Sequence, residues 1–284
     1  MEKINKINEQ EMMLALERSG YLLESEITRR LVELGLFVEP NISSLDPVTG
    51  KSREIDLFAE FNHFSKSNAS STLHKIAARA KLIFEIKNND FPLVLMTKYE
   101  VSPNSCIYES LKMGTTRPDN LKHLYYEDFY SVLFTGEVQK RIFTQYCSFS
   151  KKSHKDEFMA NHPEHLYSSL LKITHYCEEQ AEMWSSERDP KDEYMRNFLY
   201  LPVILINDDL YELENADANN HKLNKVDHSY LVLNYHYKEV PQTSIVYIIT
   251  KAGLESFLNE IHEAEKQVEK NMLMAKYKVQ LSNS

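Results

Sequence analysis

The chain has 284 residues, 42% of them apolar and 11% aromatic, with 17 Tyr and 13 Phe, so it carries ample material for a folded core and lacks a disordered composition. Its formal charge of −9 is the wrong sign for a simple polyanion binder, because phosphate binding is driven largely by Lys and Arg displacing counterions. No apolar run approaches the roughly 20 residues that span a bilayer, and the charged start MEKINKINEQE lacks the apolar core of a signal peptide; no membrane partner is expected, and the expected compartment is the cytoplasm.

The three cysteines, Cys106, Cys147 and Cys177, are odd in number, widely spaced and without a CxxC pair, which indicates neither a disulfide framework nor a zinc knuckle. The acid excess is uneven. Residues 1–100 hold 13 Lys and Arg against 15 Asp and Glu, a net of −2, which leaves −7 for the rest of the chain.

Residues 8–18 and 21–34 place apolar side chains at helical spacing, including Leu23, Ile27, Leu31 and Leu34; Gly20 separates the two predicted helices and Gly35 stops the second. Residues 36–39 read as a short strand, and Asp46-Pro-Val-Thr-Gly50 as a turn. In residues 53–61, Ile55, Leu57, Ala59 and Phe61 alternate with Glu54, Asp56 and Glu60, a period-two strand that points Asp56 away from the Ile55/Leu57 face. Residues 62–79 begin as a polar Ser/Asn stretch and read as a long loop with a helical turn at its end. Residues 81–87 (KLIFEIK) then read as a strand well inside a sheet, except for two charged residues at its carboxyl end.

From Asn88 to about Lys152 the pattern is mixed, with a helix expected near 106–113 and a helix or strand near 127–134. Residues 163–185 predict a long helix opened by Pro163, residues 199–205, 228–237 and 244–249 predict strands, and residues 251–274 predict an amphipathic terminal helix. No internal repeat or Gly/Pro-rich linker divides the chain. Residues 1–284 are therefore expected to form a single domain with its core motifs in 20–90, an insertion at about 92–160 and the C-terminal helix at about 251–274.

Positions 85 and 87 fall on one face of a strand, roughly 7 Å apart, with Ile83 beside them and Leu82, Phe84 and Ile86 on the other face. A carboxylate and an ammonium at the end of a buried strand are costly unless something compensates them. A divalent cation would do so, with Asp56 as a second oxygen ligand if the two strands are neighbours. Hard Mg²⁺ (or Mn²⁺) takes few protein carboxylates and keeps several waters, which suits a site of Asp56, Glu85 and the backbone carbonyl of Ile86. Lys87 would then orient or deprotonate an attacking water and steady charge developing on phosphorus. The plain alternative is an ion pair of Glu85 or Asp56 with Lys87 at a sheet edge.

The ordered set of parts resembles the PD-(D/E)xK nuclease superfamily, which includes restriction endonucleases, Holliday-junction resolvases and repair nucleases. There a helix bearing a glutamate precedes a three-strand meander, the second strand ends in a metal-binding aspartate and the third carries Glu/Asp-x-Lys. Here the helix is Leu23-Glu24-Ser25-Glu26-Ile27, the aspartate lies in Arg53-Glu54-Ile55-Asp56 and the third element is Glu85-Ile86-Lys87. The resemblance covers about residues 20–90. It departs at Ile55, where the family's name has Pro, and in the 29-residue separation of Asp56 from Glu85, which requires the 62–79 loop to bulge outward. It implies an α/β fold, a three-layer α/β/α sandwich around a central mixed, restriction-endonuclease-like sheet, and a metal-dependent nuclease acting on DNA. Glu24, in preference to Glu26, would be the helical acid and a further direct or water-mediated metal ligand.

Lys51, Arg53, Lys75, Arg79 and Lys81 flank the motif strands as candidate phosphate grips, and Tyr and Phe between residues 125 and 149 are better read as core than as base-stacking platforms. The sequence has no GxSxG, Walker or GxGxxG pattern to support a hydrolase elbow or a nucleotide cradle. The expected partner is nucleic acid, with a homodimer or a larger assembly as candidate states. Two rivals remain: a binding or regulatory protein that kept the fold without turnover, favoured by the acidic charge, and a component of an assembly whose partner supplies the positive surface.

Overall fold

The computed structural model describes residues 7–45, 50–62, 75–99, 107–152, 157–186, 194–217 and 220–282. Apolar periodicity builds helices α1 (Glu9–Ser19) and α2 (Tyr21–Glu33), the latter burying Leu23, Ile27 and Leu31 at successive helical turns. Gly20 joins them with φ +89°, a left-handed backbone that a Cβ would strain. Strands β1 (Leu36–Leu45), β2 (Ser52–Phe61), β3 (Ile76–Lys87) and β4 (Leu93–Lys98) follow, then β5 (Lys112–Thr116), the short helices α3 (Phe129–Leu133) and α4 (Gly136–Gln139), and strands β6 (Ile142–Lys151) and β7 (Phe158–Asn161). Helix α5 (Glu164–Ser186) leads into strands β8 (Met195–Ile206), β9 (Leu210–Asp217), β10 (Asn220–Val226), β11 (His228–Tyr237) and β12 (Val240–Thr250), and the chain closes on helix α6 (Leu254–Ser282).

Among the described residues the strands join one mixed 12-stranded sheet in the order β1-β2-β3-β8-β12-β11-β6-β4-β9-β10, with β5 on β8 and β7 on β6. Strand β3 lies between antiparallel β2 and parallel β8, which pairs with it from Ile76↔Met195 to Lys87↔Ile206. Buried residues form a cluster on each face. On one, Phe257, Leu258, Ile261, Ala264, Val268 and Met272 of α6 pack with α2 on Leu82, Phe84 and Leu201; on the other, Leu166, Leu170, Ile173, Cys177 and Ala181 of α5 pack on Ile83, Tyr200 and Ile204. The segment expected as an insertion at 92–160 supplies β4, β5 and β6 to this common sheet. Among the described residues no helix is long and apolar enough to cross a membrane.

Three sequence expectations are corrected. The helix expected near 106–113 is a single 3-10 turn, Ile107–Ser110, followed by β5; Gly114 sits there so close to α5 that a Cβ would lie 2.7 Å from that of Trp184. Most of the predicted 62–79 loop, residues 63–74, lies outside the described residues, while Ile76 to Arg79 begin β3, because continuous pairing with β8 outweighs the helical preference of Ala77, Ala78 and Ala80. Ile55 and Leu57 do not share a face either: Leu57 packs with the α6 cluster and Ile55 with the α5 cluster. Partner strand β1 switches at the same level, Val38 facing the first cluster and Ile42 the second, across Asn41 with φ +56°.

Gly253 shows how tightly β12 turns into α6. A Cβ there would lie 2.5 Å from the Asp227 carbonyl oxygen and 2.8 Å from its Cβ. That carbonyl already accepts the Thr250 N–H at 2.8 Å, so it has little freedom to retreat. Gly253→Ala is expected to cost about 2 kcal/mol, within the usual range for overpacking, and to lower the melting temperature by several degrees. Gly136→Ala, with no atom within 4 Å of the added methyl, is the control and should leave the melting temperature unchanged or slightly raised.

Candidate metal centre

The antiparallel ladder between β2 and β3 reaches Leu57↔Phe84 and goes no further, although β2 stays paired with β1 as far as Leu45↔Ser52. The strands therefore part beside Asp56. A buried N–H facing such a gap needs a partner. The Ile86 N–H finds one in Asp56 Oδ2, at 2.7 Å, so the aspartate takes the place of the missing ladder bond. A residue's N–H and C=O point to the same side of a strand. The Ile86 carbonyl thus opens toward this gap, while the next carbonyl, that of Lys87, turns the other way and accepts the Asn207 N–H at 3.1 Å.

Glu85 and Lys87 share a face of β3, as their spacing requires. The Glu85 side chain is 1% exposed, and its Oε2 accepts from Lys87 Nζ at 2.9 Å. Its Oε1 makes no hydrogen bond but is in ion contact with Lys172 Nζ, from α5. Lys172 also donates to the Glu54 carbonyl on β2, which ties the helix to both strands that frame the site.

Glu24 enters from the first turn of α2. Burial, and next the negative charge of Asp56, push its carboxyl above the ordinary range, with Lys87 and Lys172 opposing. Burial and then Glu85 do the same to Asp56, against the Ile86 N–H, Lys87 and Lys172. Glu24, Asp56, Glu85, Lys87 and Lys172 thus form one electrostatic cluster at the carboxyl end of β3. Glu26, the other candidate helical acid, is exposed and pairs with Lys251 at 2.7 Å. The end of α1, which Gly20 joins to α2, is tied to this end of β3 by Asn88, directly after Lys87, whose Nδ2 donates to the Glu17 carbonyl at 2.7 Å and whose Oδ1 accepts from Asn207 Nδ2 at 3.1 Å.

Two carboxyls held above their ordinary range where β2 and β3 part are features a divalent cation would relieve. Among the described residues no three His, Cys, Asp or Glu side chains are gathered closely enough to hold a metal ion together, so Glu24 does not join Asp56 and Glu85 in one direct ligand set. The fit is instead to an ion held by Asp56, Glu85 and the Ile86 carbonyl with water completing its shell, the habit of Mg²⁺.

The proposed phosphate grips separate into two groups. Arg79 pairs with Glu269 of α6 at 2.9 Å, and Lys81 sits opposite Glu60, 3.7 Å away, with its ammonium 5.1 Å from the Phe198 ring centre. Both are committed to packing and lie toward the other end of β3, which argues against their gripping substrate beside Glu85. Lys51 directly precedes β2 and Arg53 is its second residue, both nearer Asp56 in the strand, and Arg53 donates to Ser168 Oγ of α5 at 3.5 Å. Lys172 is the member that sequence reasoning missed. It flanks the buried stripe of α5, where a lysine reads as solvated, and no spacing rule links it to a glutamate 87 positions earlier.

Asp56 carries a stability cost that can be measured. A carboxyl whose folded-state pKa is raised binds its proton more tightly folded than unfolded, so its ionisation destabilises the fold. Asp56→Asn keeps an oxygen for the Ile86 N–H and removes the charge. In chelator at pH 7 the variant should be more stable than wild type by on the order of 1 kcal/mol, the usual gain from relieving a strained functional group. The difference should be full above the raised folded value and fade as pH falls through it, toward the ordinary carboxyl range. Thermal melts of both proteins across that range check it; a variant less stable at pH 7 would show that Asp56 is a net structural ligand.

No protein-family model matches the chain, and neither a curated protein nor a solved structure matches it.

Proposed function

We propose that this chain is a metal-dependent nuclease with a restriction-endonuclease-like sandwich, hydrolysing phosphodiester bonds in DNA. The observation that carries the reading is the parting of β2 and β3, where Asp56 bonds the Ile86 N–H and so stands beside Glu85 and Lys87. Asp56, Glu85 and the Ile86 carbonyl hold Mg²⁺ or Mn²⁺. The bound ion supplies Lewis-acid polarisation of the phosphoryl group. Lys87, an ammonium held against Glu85, orients the attacking water and steadies charge on the phosphoryl oxygens, while Glu24, whose carboxyl burial pushes above its ordinary range, hydrogen-bonds water on the α2 side, the route by which the attacking water's proton leaves to solvent. The phosphate lies toward the Lys51 and Arg53 rim, the basic side of the cluster.

The net charge of −9 favours one alternative, a domain that keeps the fold without turnover and works in nucleic-acid binding, regulation or assembly. Purified protein is to be incubated with supercoiled plasmid, linear duplex and single-stranded DNA, in Mg²⁺, in Mn²⁺ and in chelator. Cleavage of at least one substrate, present with metal and abolished by chelator, is expected. Intact DNA in every lane, with retarded migration on a native gel, would select the non-catalytic alternative.

A further inference from the structure

We propose that Lys172 is the site's built-in second cation, so that the carboxylate cluster takes one divalent ion and not two. This rests on the reading of Asp56 and Glu85 as cation ligands and adds the stoichiometry of the site and the residue that sets it.

Two-metal phosphodiesterase sites hold their ions about 3.5–4 Å apart, with a shared carboxylate between them. A second ion beside Glu85 would need its Oε1, and both Glu85 oxygens already face ammonium groups: Oε2 that of Lys87, at 2.9 Å, and Oε1 that of Lys172. Lys172 is not a loose surface side chain. It is 16% exposed, projects from the 23-residue helix α5, and is pinned a second time by the Glu54 carbonyl, two residues before Asp56. It therefore occupies the Glu85 face that lies toward β2 and α5, leaving the Asp56 and Ile86 side for an ion.

Charge points the same way. Glu24, Asp56 and Glu85 against Lys87 and Lys172 leave one net negative charge in the cluster. One divalent ion turns this to a single positive charge, complementary to one phosphodiester. Two would leave three positive charges around a carboxylate that is 1% exposed, a repulsion that weak solvent screening makes severe. An ammonium is a compact point charge with three donors, suited to replace an ion at one carboxylate oxygen.

The test is calorimetric titration of the full chain with Mn²⁺ alone, without DNA, for wild type, Lys172→Met and Lys172→Arg. Wild type and Lys172→Arg are expected to bind one ion per chain. Lys172→Met is expected to bind two, or one at least tenfold more tightly. One ion with wild-type affinity in a folded Lys172→Met would show that Lys172 is only a structural partner of Glu85, and two ions in wild type would overturn the proposal even if that variant failed to fold. No Mn²⁺ bound by wild type would instead remove the metal reading on which the proposal rests.

Discussion

Lys87→Ala is expected to lower DNA cleavage by about 10²-fold or more while Mn²⁺ binds at least as well as to wild type. The two halves of this result come from one geometry. Lys87 donates no metal ligand; its ammonium sits 2.9 Å from Glu85 Oε2, so removing it frees that oxygen and makes the cluster more negative. What is lost is a cation that orients the attacking water and steadies developing charge, worth on the order of 10²–10³ in rate. A plain ion pair predicts the opposite division: a stability change of about 1 kcal/mol or less if solvated, with no effect on cleavage. Mn²⁺ calorimetry beside a cleavage assay separates them, and wild-type cleavage by Lys87→Ala would end its assignment to the chemistry.

Glu85→Ala should destabilise the fold by about 3 kcal/mol, the low end of what removing one member of a buried ion pair costs. It strips two ammonium groups of their carboxylate at once, and Lys87 and Lys172 are only 24% and 16% exposed. Glu85→Gln, which keeps an acceptor oxygen, should cost less. Asp56 has the opposite sign: neutralising it stabilises, because its charge is the one its surroundings resist. Two acids at adjacent positions of neighbouring strands thus separate in a single denaturation series. Equal losses of stability at both would contradict the electrostatic description of the cluster.

Much of this arrangement was legible in the sequence, for identifiable reasons. The two-residue spacing of Glu85 and Lys87 fixes their common face, and Leu23, Ile27 and Leu31 fix the buried stripe of α2, beside which Glu24 lies. The long helix expected at 163–185 is observed at Glu164–Ser186, and the strand expected at 228–237 is His228–Tyr237. The polar strands were hidden. In β10, Asn220–Val226, the sequence NHKLNKV has no apolar face, and only pairing with β9 makes it a strand. Residues 107–113 carry apolar side chains at near-helical spacing, yet β5 takes Lys112 and Met113 through its bonds to β8.

The parts of the site hidden in the sequence were those made by tertiary contact. Period-two alternation through Ile55, Leu57 and Ala59 suggests one uninterrupted face, whereas the ladder breaks at Asp56 and the strand changes faces there. That break is what lets the Asp56 carboxylate reach the Ile86 N–H. Lys172 was hidden for the same reason, since α5 becomes its context only once it crosses β2 and β3.

The most direct test of the central claim is Mn²⁺-dependent cleavage of supercoiled plasmid by wild type and Asp56→Asn, expressed and purified identically and checked for equal folding by thermal melt. The variant retains an acceptor for the Ile86 N–H, so it should remain folded and melt no lower than wild type. Wild type is expected to convert the plasmid in Mn²⁺ and not in chelator, and Asp56→Asn to leave it supercoiled under both conditions. Equal cleavage by the two proteins, or no cleavage by either, would contradict the assignment of Asp56, Glu85 and Lys87 as a phosphodiesterase centre.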